Sequence, residues 1–452
     1  MTKRRSMLVL LMLAAVMSVL SGFLIEQPLC AQQGQIQTGI NRGNPVIRIA
    51  VATFPAQSSE PDLANLTNEF NQVLWNDLDN AGIFQMVSKS LYPLKTPSNP
   101  GEVVFDQWTS SPVSTQYLVF GNTADINGNL VVIAYLYDVR NPGSPEVLAK
   151  RYIATLNDVS TRDTAHTFAN EIIQALGGGI PGINLTQIAF VSNRTGHDEI
   201  WVMDYDGFNQ HPITSYGSLA LTPRWSPDDT KLAFTSYASG NPEITIYSFL
   251  SHHLVPFPHY RGLNTTPAWS PDGKKIAFCS SMSGSPEIYV SNADGSGLQR
   301  LTFGPGASTT NIGPVWNPKT GNEIAFVSDR SGSPQIYSMN SDGTNVRRLL
   351  TAGGDADAPS WSPDGLSIAF TWAVVETGTF DIYVMNVASG QITQLTHNAG
   401  SNDRPWWAPD GRHIVFESSR TGRREIWMML ANGTGQKQLT TQGSNWDPSW
   451  SN

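Results

Sequence analysis

Cysteine is scarce in this chain. Its 452 residues hold two, Cys30 and Cys279. With a leader removed through residue 31 one cysteine remains and no internal disulfide can form. Cys279, in Ile276-Ala277-Phe278-Cys279, reads as a buried small hydrophobe. Charge is sparse as well: 14% of residues are Asp, Glu, Lys or Arg, and the net charge is −9. No basic cluster follows the first five residues, which excludes nucleic acid as an electrostatic partner. The one long apolar run, Met7 to Leu20, follows Lys3, Arg4 and Arg5. At roughly 14 residues it is short of the roughly 20 a membrane span needs, so it is read as a cleaved secretory leader, residues 1–31, rather than an anchor. Leu29 is too bulky for the position before a lipid-bearing Cys30. Catalytic signatures are missing too: there is no Gly-x-Ser-x-Gly elbow, no His-Glu-x-x-His, no P-loop and no dinucleotide fingerprint. His252, His253 and His259 form the only histidine cluster, with no Cys or carboxylate close by in sequence, and solvated surface histidines account for it better than a metal. No catalytic residue, metal ligand or cofactor is expected.

Glycine (39) and proline (29), by contrast, are plentiful. Pro-x-Trp occurs six times, at Pro223–Trp225, Pro267–Trp269, Pro314–Trp316, Pro359–Trp361, Pro405–Trp407 and Pro448–Trp450, with steps of 44, 47, 45, 46 and 43 residues between tryptophans. This period is the length of one four-stranded propeller blade. An Ile-Ala-Phe element recurs at Ile188–Phe190, Leu232–Phe234, Ile276–Phe278, Ile324–Phe326, Ile368–Phe370 and Ile414–Phe416. It is apolar on both faces, as a strand between two blades must be. Ser-Pro-Asp-Gly turns connect the Trp strand to it. Proline at the head of the Trp strand lacks a donor, so that strand is expected at a sheet edge facing the channel. The first Ile-Ala-Phe has no Pro-x-Trp before it, and the last Pro-x-Trp has no Ile-Ala-Phe after it. The C-terminal strand therefore supplies the inner strand of the first blade. Residues 183–452 are predicted to form a six-bladed, all-β propeller closed in this way, with an irregular second blade at Ser248–Pro258.

The region before it reads differently. Residues 32–45 are a polar arm with two isolated isoleucines and cannot fold alone. Residues 46–176 read as an α/β domain. Its strands are Val46–Phe54, Phe84–Ser88, Tyr117–Ala124, Leu130–Tyr137 and Val147–Ala154. Leu63, Leu66, Phe70, Val73, Leu74 and Leu78 put an apolar stripe on a helix over 62–80. Ser160-x-x-Asp163 reads as a capping box opening a last helix to Leu176. Residues 177–182 are a Gly-rich linker.

The residues just before each Pro-x-Trp lead into the innermost strands, so they are predicted to form loops ringing one mouth of the channel. Turn chemistry accounts for Asn264, Asn311, Asn402 and Asn445. It does not account for Ile312, Arg404 or Trp446, and Trp and Arg are favoured interface anchors. The same loops hold the acids Asp357, Asp403 and Asp447. These would be the groups available to an alternative function, a propeller hydrolase or lyase acting on envelope glycans or peptides.

Ala165-His166 at the last helix of the first domain, Asp204-Tyr205-Asp206-Gly207-Phe208-Asn209-Gln210, and the terminal Pro448-Ser449-Trp450-Ser451, together with the leader, the α/β domain and the Ser-Pro-Asp-Gly repeats, resemble the TolB family of the Tol–Pal system over residues 35–452. The resemblance implies a periplasmic protein without enzymatic activity, a monomer peripheral to the membrane through its partners only. It implies support of outer-membrane integrity, protein transport and constriction at cell division. It also implies that the propeller mouth binds the peptidoglycan-associated lipoprotein Pal, here through Leu263, Thr266, Asn311, Ile312, Gly313, Asp357, Asp403, Arg404 and Trp446. The arm, here Gln35, Ile36, Gln37, Thr38, Gly39 and Ile40, would bind TolA or dock back on the protein's own body. The resemblance also implies that some of the family positions that touch Pal hold His, Ala, Thr or Glu. The corresponding loops here hold Leu263, Thr266, Ile312 and Gly313, which leaves a diverged Pal or a different ligand open.

Overall fold

The computed structural model describes residues 47–304, 306, 309–350, 353–373, 379–397 and 399–452. The first five strands are β1 (Ile47–Val51), β2 (Phe84–Met86), β3 (Tyr117–Ile126), β4 (Asn129–Asp138) and β5 (Glu146–Thr155), and they form one sheet in the order β2-β1-β3-β4-β5. β1 runs parallel to both its neighbours, while β3, β4 and β5 form an antiparallel meander. Helices α1 (Pro61–Asn80) and α2 (Asp158–Leu176) cover one face. The apolar stripe of α1 is buried, with Phe70, Leu74 and Leu78 fully enclosed against Val119, Val132, Phe168 and Ile172. The predicted capping box does not form. α2 begins earlier, and the Asn157 side chain caps it by accepting from the Ser160 amide. Asn competes as well as Ser for that position, and here it lies three residues upstream.

From Gln187 onward six four-stranded antiparallel sheets follow. The inner strands are Asn445–Trp450 in blade one, Ala220–Trp225 in blade two, Asn264–Trp269 in blade three, Asn311–Trp316 in blade four, Asp355–Trp361 in blade five and Asn402–Trp407 in blade six. Blade one combines that C-terminal strand with Gln187–Ser192, Glu199–Asp204 and His211–Pro212, so the ring closes as the repeat count requires. Gln187 and Ser451 lock the seam with a Ser451 N–H to Gln187 C=O bond of 2.9 Å and a Gln187 N–H to Ser451 Oγ bond of 2.9 Å. The second strand of every blade is buried on both faces, and Phe190, Phe234, Phe278, Phe326, Phe370 and Phe416 are all fully enclosed between blades.

The antiparallel meander gives the channel two unlike ends. Each inner strand starts at one end and finishes with its tryptophan at the other. The α/β domain sits at the tryptophan end, beside blades one and six. Tyr205 Oη donates to Asp77, whose other oxygen lies 2.7 Å from His166 Nδ1. Arg162 bridges Glu69 and Asp206. His413 is held by Asp410 at 2.7 Å and reaches the Asn80 carbonyl at 2.8 Å, while Arg412 donates to the Pro181 carbonyl at 3.0 Å. All of these contacts lie at the tryptophan end of the channel. Among the described residues no helix is long and apolar enough to cross a membrane.

Candidate functional site

Every inner strand carries the same irregularity. Thr222, Thr266, Gly313, Ala358, Arg404 and Asp447 have φ of 54°, 51°, 59°, 50°, 52° and 51°. Each stands directly before the repeat proline, and each pairing register shifts there. These are β-bulges. The proline has no N–H to offer the neighbouring strand, so the ladder is already interrupted at that position. Two expectations change. The residues before Pro-x-Trp belong to the strands, not to loops, and the proline lies in mid-strand, not at its head. The edge position of the strand stands: in every sheet it is outermost towards the channel.

The asparagines are not turn residues either. Asn264, Asn311, Asn402 and Asn445 are buried. Asn311 Nδ2 donates to Glu287 of blade three at 2.8 Å, Asn402 to Asp381 of blade five at 2.9 Å, and Asn445 to Glu425 of blade six at 2.7 Å. Their Oδ1 atoms accept from Arg330, Arg420 and Arg194, at 2.7, 2.9 and 3.0 Å. Each is thus a clasp between successive blades, with its amide satisfied on both sides. Asn264 differs: its Nδ2 binds the carbonyls of Tyr260 and Gly262 within its own approach segment. The same short spacing from Gly or Ser to Asn would suit a turn, and only the long-range partner separates the two roles.

At the bulge end, Leu263, Thr266, Ile312 and Gly313 line the side of the mouth formed by blades three and four, each half-buried or open at its edge. In the segment that leads from blade three to blade four, Phe303 has 69% of its surface exposed, under the Arg300 guanidinium at 4.5 Å. Tyr216 and Leu219, in the approach to blade two, are exposed as well. None of these three was among the expected site residues. The opposite half is charged. Asp447 is 2% exposed and receives Arg224 at 3.2 Å and Arg404 at 3.2 Å. Burial opposes ionisation of Asp447, but the two guanidiniums outweigh it and hold its carboxyl below the usual range. Asp403 accepts from Thr371 Oγ1 at 2.6 Å and from the Arg404 amide at 2.7 Å. Asp357 is exposed and accepts from the Ala358 amide at 2.6 Å. Trp446 is half-buried, with the Arg424 guanidinium 5.9 Å from its ring.

Arg224 and Trp406 occupy the middle position of their Pro-x-Trp tripeptides, and their side chains meet in the channel, guanidinium over ring at 4.6 Å. Below them, at the tryptophan end, a cavity of about 340 Å³ is lined by the repeat tryptophans, by Pro227, Pro271, Pro318, Pro363 and Pro409, and by Asn452. The tryptophans serve mainly as packing between blades. The indole N–H groups of Trp225, Trp269 and Trp316 donate to the preceding inner strand, at Ser449, Arg224 and Ala268, over 3.2, 3.2 and 3.1 Å. His259 pairs with Glu243 at 2.6 Å on the surface of blade two, and among the described residues no group of three His, Cys, Asp or Glu side chains could hold a metal ion. The arm residues Gln35, Ile36, Gln37, Thr38, Gly39 and Ile40, and the leader, lie outside the described residues.

The sequence matches the profile of the TolB beta propeller domain over residues 175–373 and 350–452, and that of the TolB amino-terminal domain over 36–144. It is 36% identical over 174 residues to the Tol-Pal system protein TolB of Geobacter metallireducens, covering 38% of this chain and 39% of that protein. With the protein of the same name from Syntrophotalea carbinolica it is 33% identical over 190 residues, 41% of this chain and 42% of the relative. The chain thus spans about two fifths of the length of the curated relatives it matches. The crystal structure of TolB from Acinetobacter baumannii superimposes with a TM-score of 0.75 at 25% identity, over 90% of this chain and 97% of that one.

Proposed function

The chain belongs to the TolB family, and on that premise we propose that it is a non-enzymatic, exported binding scaffold of the Tol–Pal envelope system. In this reading residues 1–31 are a leader removed on export to the periplasm, and residues 32–45 are an arm that engages TolA. Residues 46–176 form the α/β domain, 177–182 a linker and 183–452 the propeller, whose bulge-end mouth binds the lipoprotein Pal. The protein would work as a monomer, peripheral to the membrane through its partners, in outer-membrane integrity and constriction at division.

The observation that carries the mouth assignment is the pair of half-buried apolar residues Leu263 and Ile312 on blades three and four, with Phe303 exposed in the segment between those blades, across the channel from the ion-paired Arg404 and Asp447. An apolar anchor ringed by polar groups is the usual anatomy of a protein interface. The enzyme alternative is less well supported, because Asp447 and Asp403 are committed to guanidinium and hydroxyl partners and are not free for acid–base work.

The test is recovery of Pal from envelope extract with the mature protein, with Ile312→Asp as the disruptive variant. Arg404→Glu also weakens binding in this reading, but it sets a fourth carboxylate against Asp447, Glu417 and Asp403 and so needs a folding control. Deleting residues 32–45 is expected to abolish TolA binding and leave the thermal transition unchanged. Survival of TolA binding removes the arm from the scheme.

A further inference from the structure

Glu417 is an exception in the repeat. It follows Ile-Ala-Phe in blade six, where the other blades hold Val191, Thr235, Cys279, Val327 and Thr371. An apolar or hydroxyl side chain is what the two-sided packing of that strand calls for. Glu417 instead places a carboxylate with 6% of its side chain exposed. Its pairing partner across the blade is another carboxylate, Asp403. Like charges at directly opposed positions of an antiparallel pair repel.

The groups facing Glu417 do not neutralise it well. The Asp447 amide donates to it at 2.9 Å. The nearest guanidinium contacts, Arg404 Nε and Arg424 Nε, are longer, at 3.9 and 3.8 Å. Arg404 and Arg224 are both drawn more closely to Asp447, at 3.2 Å each. Four carboxylates (Asp357, Asp403, Glu417 and Asp447) therefore share three guanidiniums (Arg224, Arg404 and Arg424). Asp357 is open to water, Asp403 has its hydroxyl and amide donors, and Asp447 has both short ion pairs. Of the four, Glu417 is the one that is buried with no ion pair closer than 3.8 Å and, among the described residues, no hydroxyl donor.

We propose that Glu417 is a proton-binding site of the channel wall, and that uptake of one proton there sets the charge this mouth presents to its partner. The second half rests on the reading of the mouth as the partner surface; the first does not. A buried carboxylate left short of donors lowers the stability of the fold. The five other blades hold an uncharged residue at this position. Burial, then repulsion from Asp403, pushes the Glu417 carboxyl up to about 7.

The test is carboxyl ¹³C NMR of glutamate-labelled mature protein, titrated from about pH 4.5 to about pH 9, with Glu417→Gln as the assignment variant. Gln keeps the acceptor for the Asp447 amide. One glutamate resonance is expected to titrate near neutrality and to vanish in E417Q. If every glutamate carboxyl titrates in the ordinary acidic range, the proposal falls and the mouth reading stands. A second arm measures Pal affinity at about pH 6 and about pH 8. By linkage it is expected to change at least about threefold in the native protein and not in E417Q. Titration of Glu417 with no such change removes the coupling to the partner.

Discussion

Blades three and four and blades six and one face each other across the channel and share one inner-strand design. Each has a left-handed residue before proline and, in blades four, six and one, a buried asparagine clasp to the preceding blade. On the first side the positions at and beside the bulge are the half-buried Leu263, Thr266, Ile312 and Gly313; on the second they are the half-buried Asp403, Arg404 and Trp446 and the buried Asp447. The backbone and the clasps are common because every blade must solve the same packing problem. The side chains at the bulge are free of that problem, because the bulge takes those residues out of the ladder. They can diverge from blade to blade, and the mouth acquires an apolar side and a charged side on one repeated frame.

The comparison breaks first at what the two sides share. Glu287→Ala removes the partner of Asn311, Thr302, Arg300 and the Gly304 amide; Glu425→Ala removes that of Asn445, Thr440 and Arg423. Each is expected to cost about 3–5 kcal/mol in urea unfolding, with the two values within about 1 kcal/mol of each other. A gap much larger than that would mean the clasps are not equivalent. Asp447→Ala acts on the charged side alone, leaving Arg224 and Arg404 without their shared carboxylate. A loss of about 3 kcal/mol is expected, partly relieved by raising salt.

Glu417→Gln sharpens the contrast through pH. The folded-state carboxyl titrates near 7, above its unfolded value, so between about pH 4.5 and 7 the folded chain holds a proton the unfolded chain has released. Stability of the native protein therefore falls as pH rises through that window. Relative to E417Q, the native protein is expected to be equal in acid and about 3 kcal/mol less stable above neutrality. A constant difference across pH contradicts the assignment. The smallest effect lies on the neutral side. Gly313→Ala adopts the same positive φ that Ala358 already holds, and nothing lies within 4 Å of the added methyl. A change of about 1 kcal/mol or less is expected, the backbone strain being offset by lost freedom in the unfolded chain.

Much of this architecture was readable from the repeats. Spacing of Pro-x-Trp and Ile-Ala-Phe defined six blades and the seam at Trp450, because local periodicity and turn chemistry determine both. The clasps were not readable. Asn311 and Glu287 stand 24 residues apart in successive blades, and Arg224 and Asp447 stand 223 apart across the seam, so their pairing is a property of the assembled blades and not of local sequence. An Asn before a strand carries the same letter whether it turns the chain or joins two blades. Glu417 was legible in principle, by aligning the residue after each Ile-Ala-Phe, where it is the one acid. Phe303, Tyr216 and Leu219 gave no signal, because apolar residues in connecting segments are common and their exposure depends on the assembled mouth.

The central claim is that the partner binds at the bulge end of the channel and not at the tryptophan end. Calorimetric titration of the soluble domain of Pal into the mature protein tests it most directly, with Ile312→Asp at one end and Lys319→Glu, exposed at the other. Native and Lys319→Glu proteins are expected to bind equally, and Ile312→Asp to lose about tenfold or more, the effect of about 1.4 kcal/mol at an apolar contact. Equal affinity for the native and Ile312→Asp proteins, with loss confined to Lys319→Glu, would contradict it.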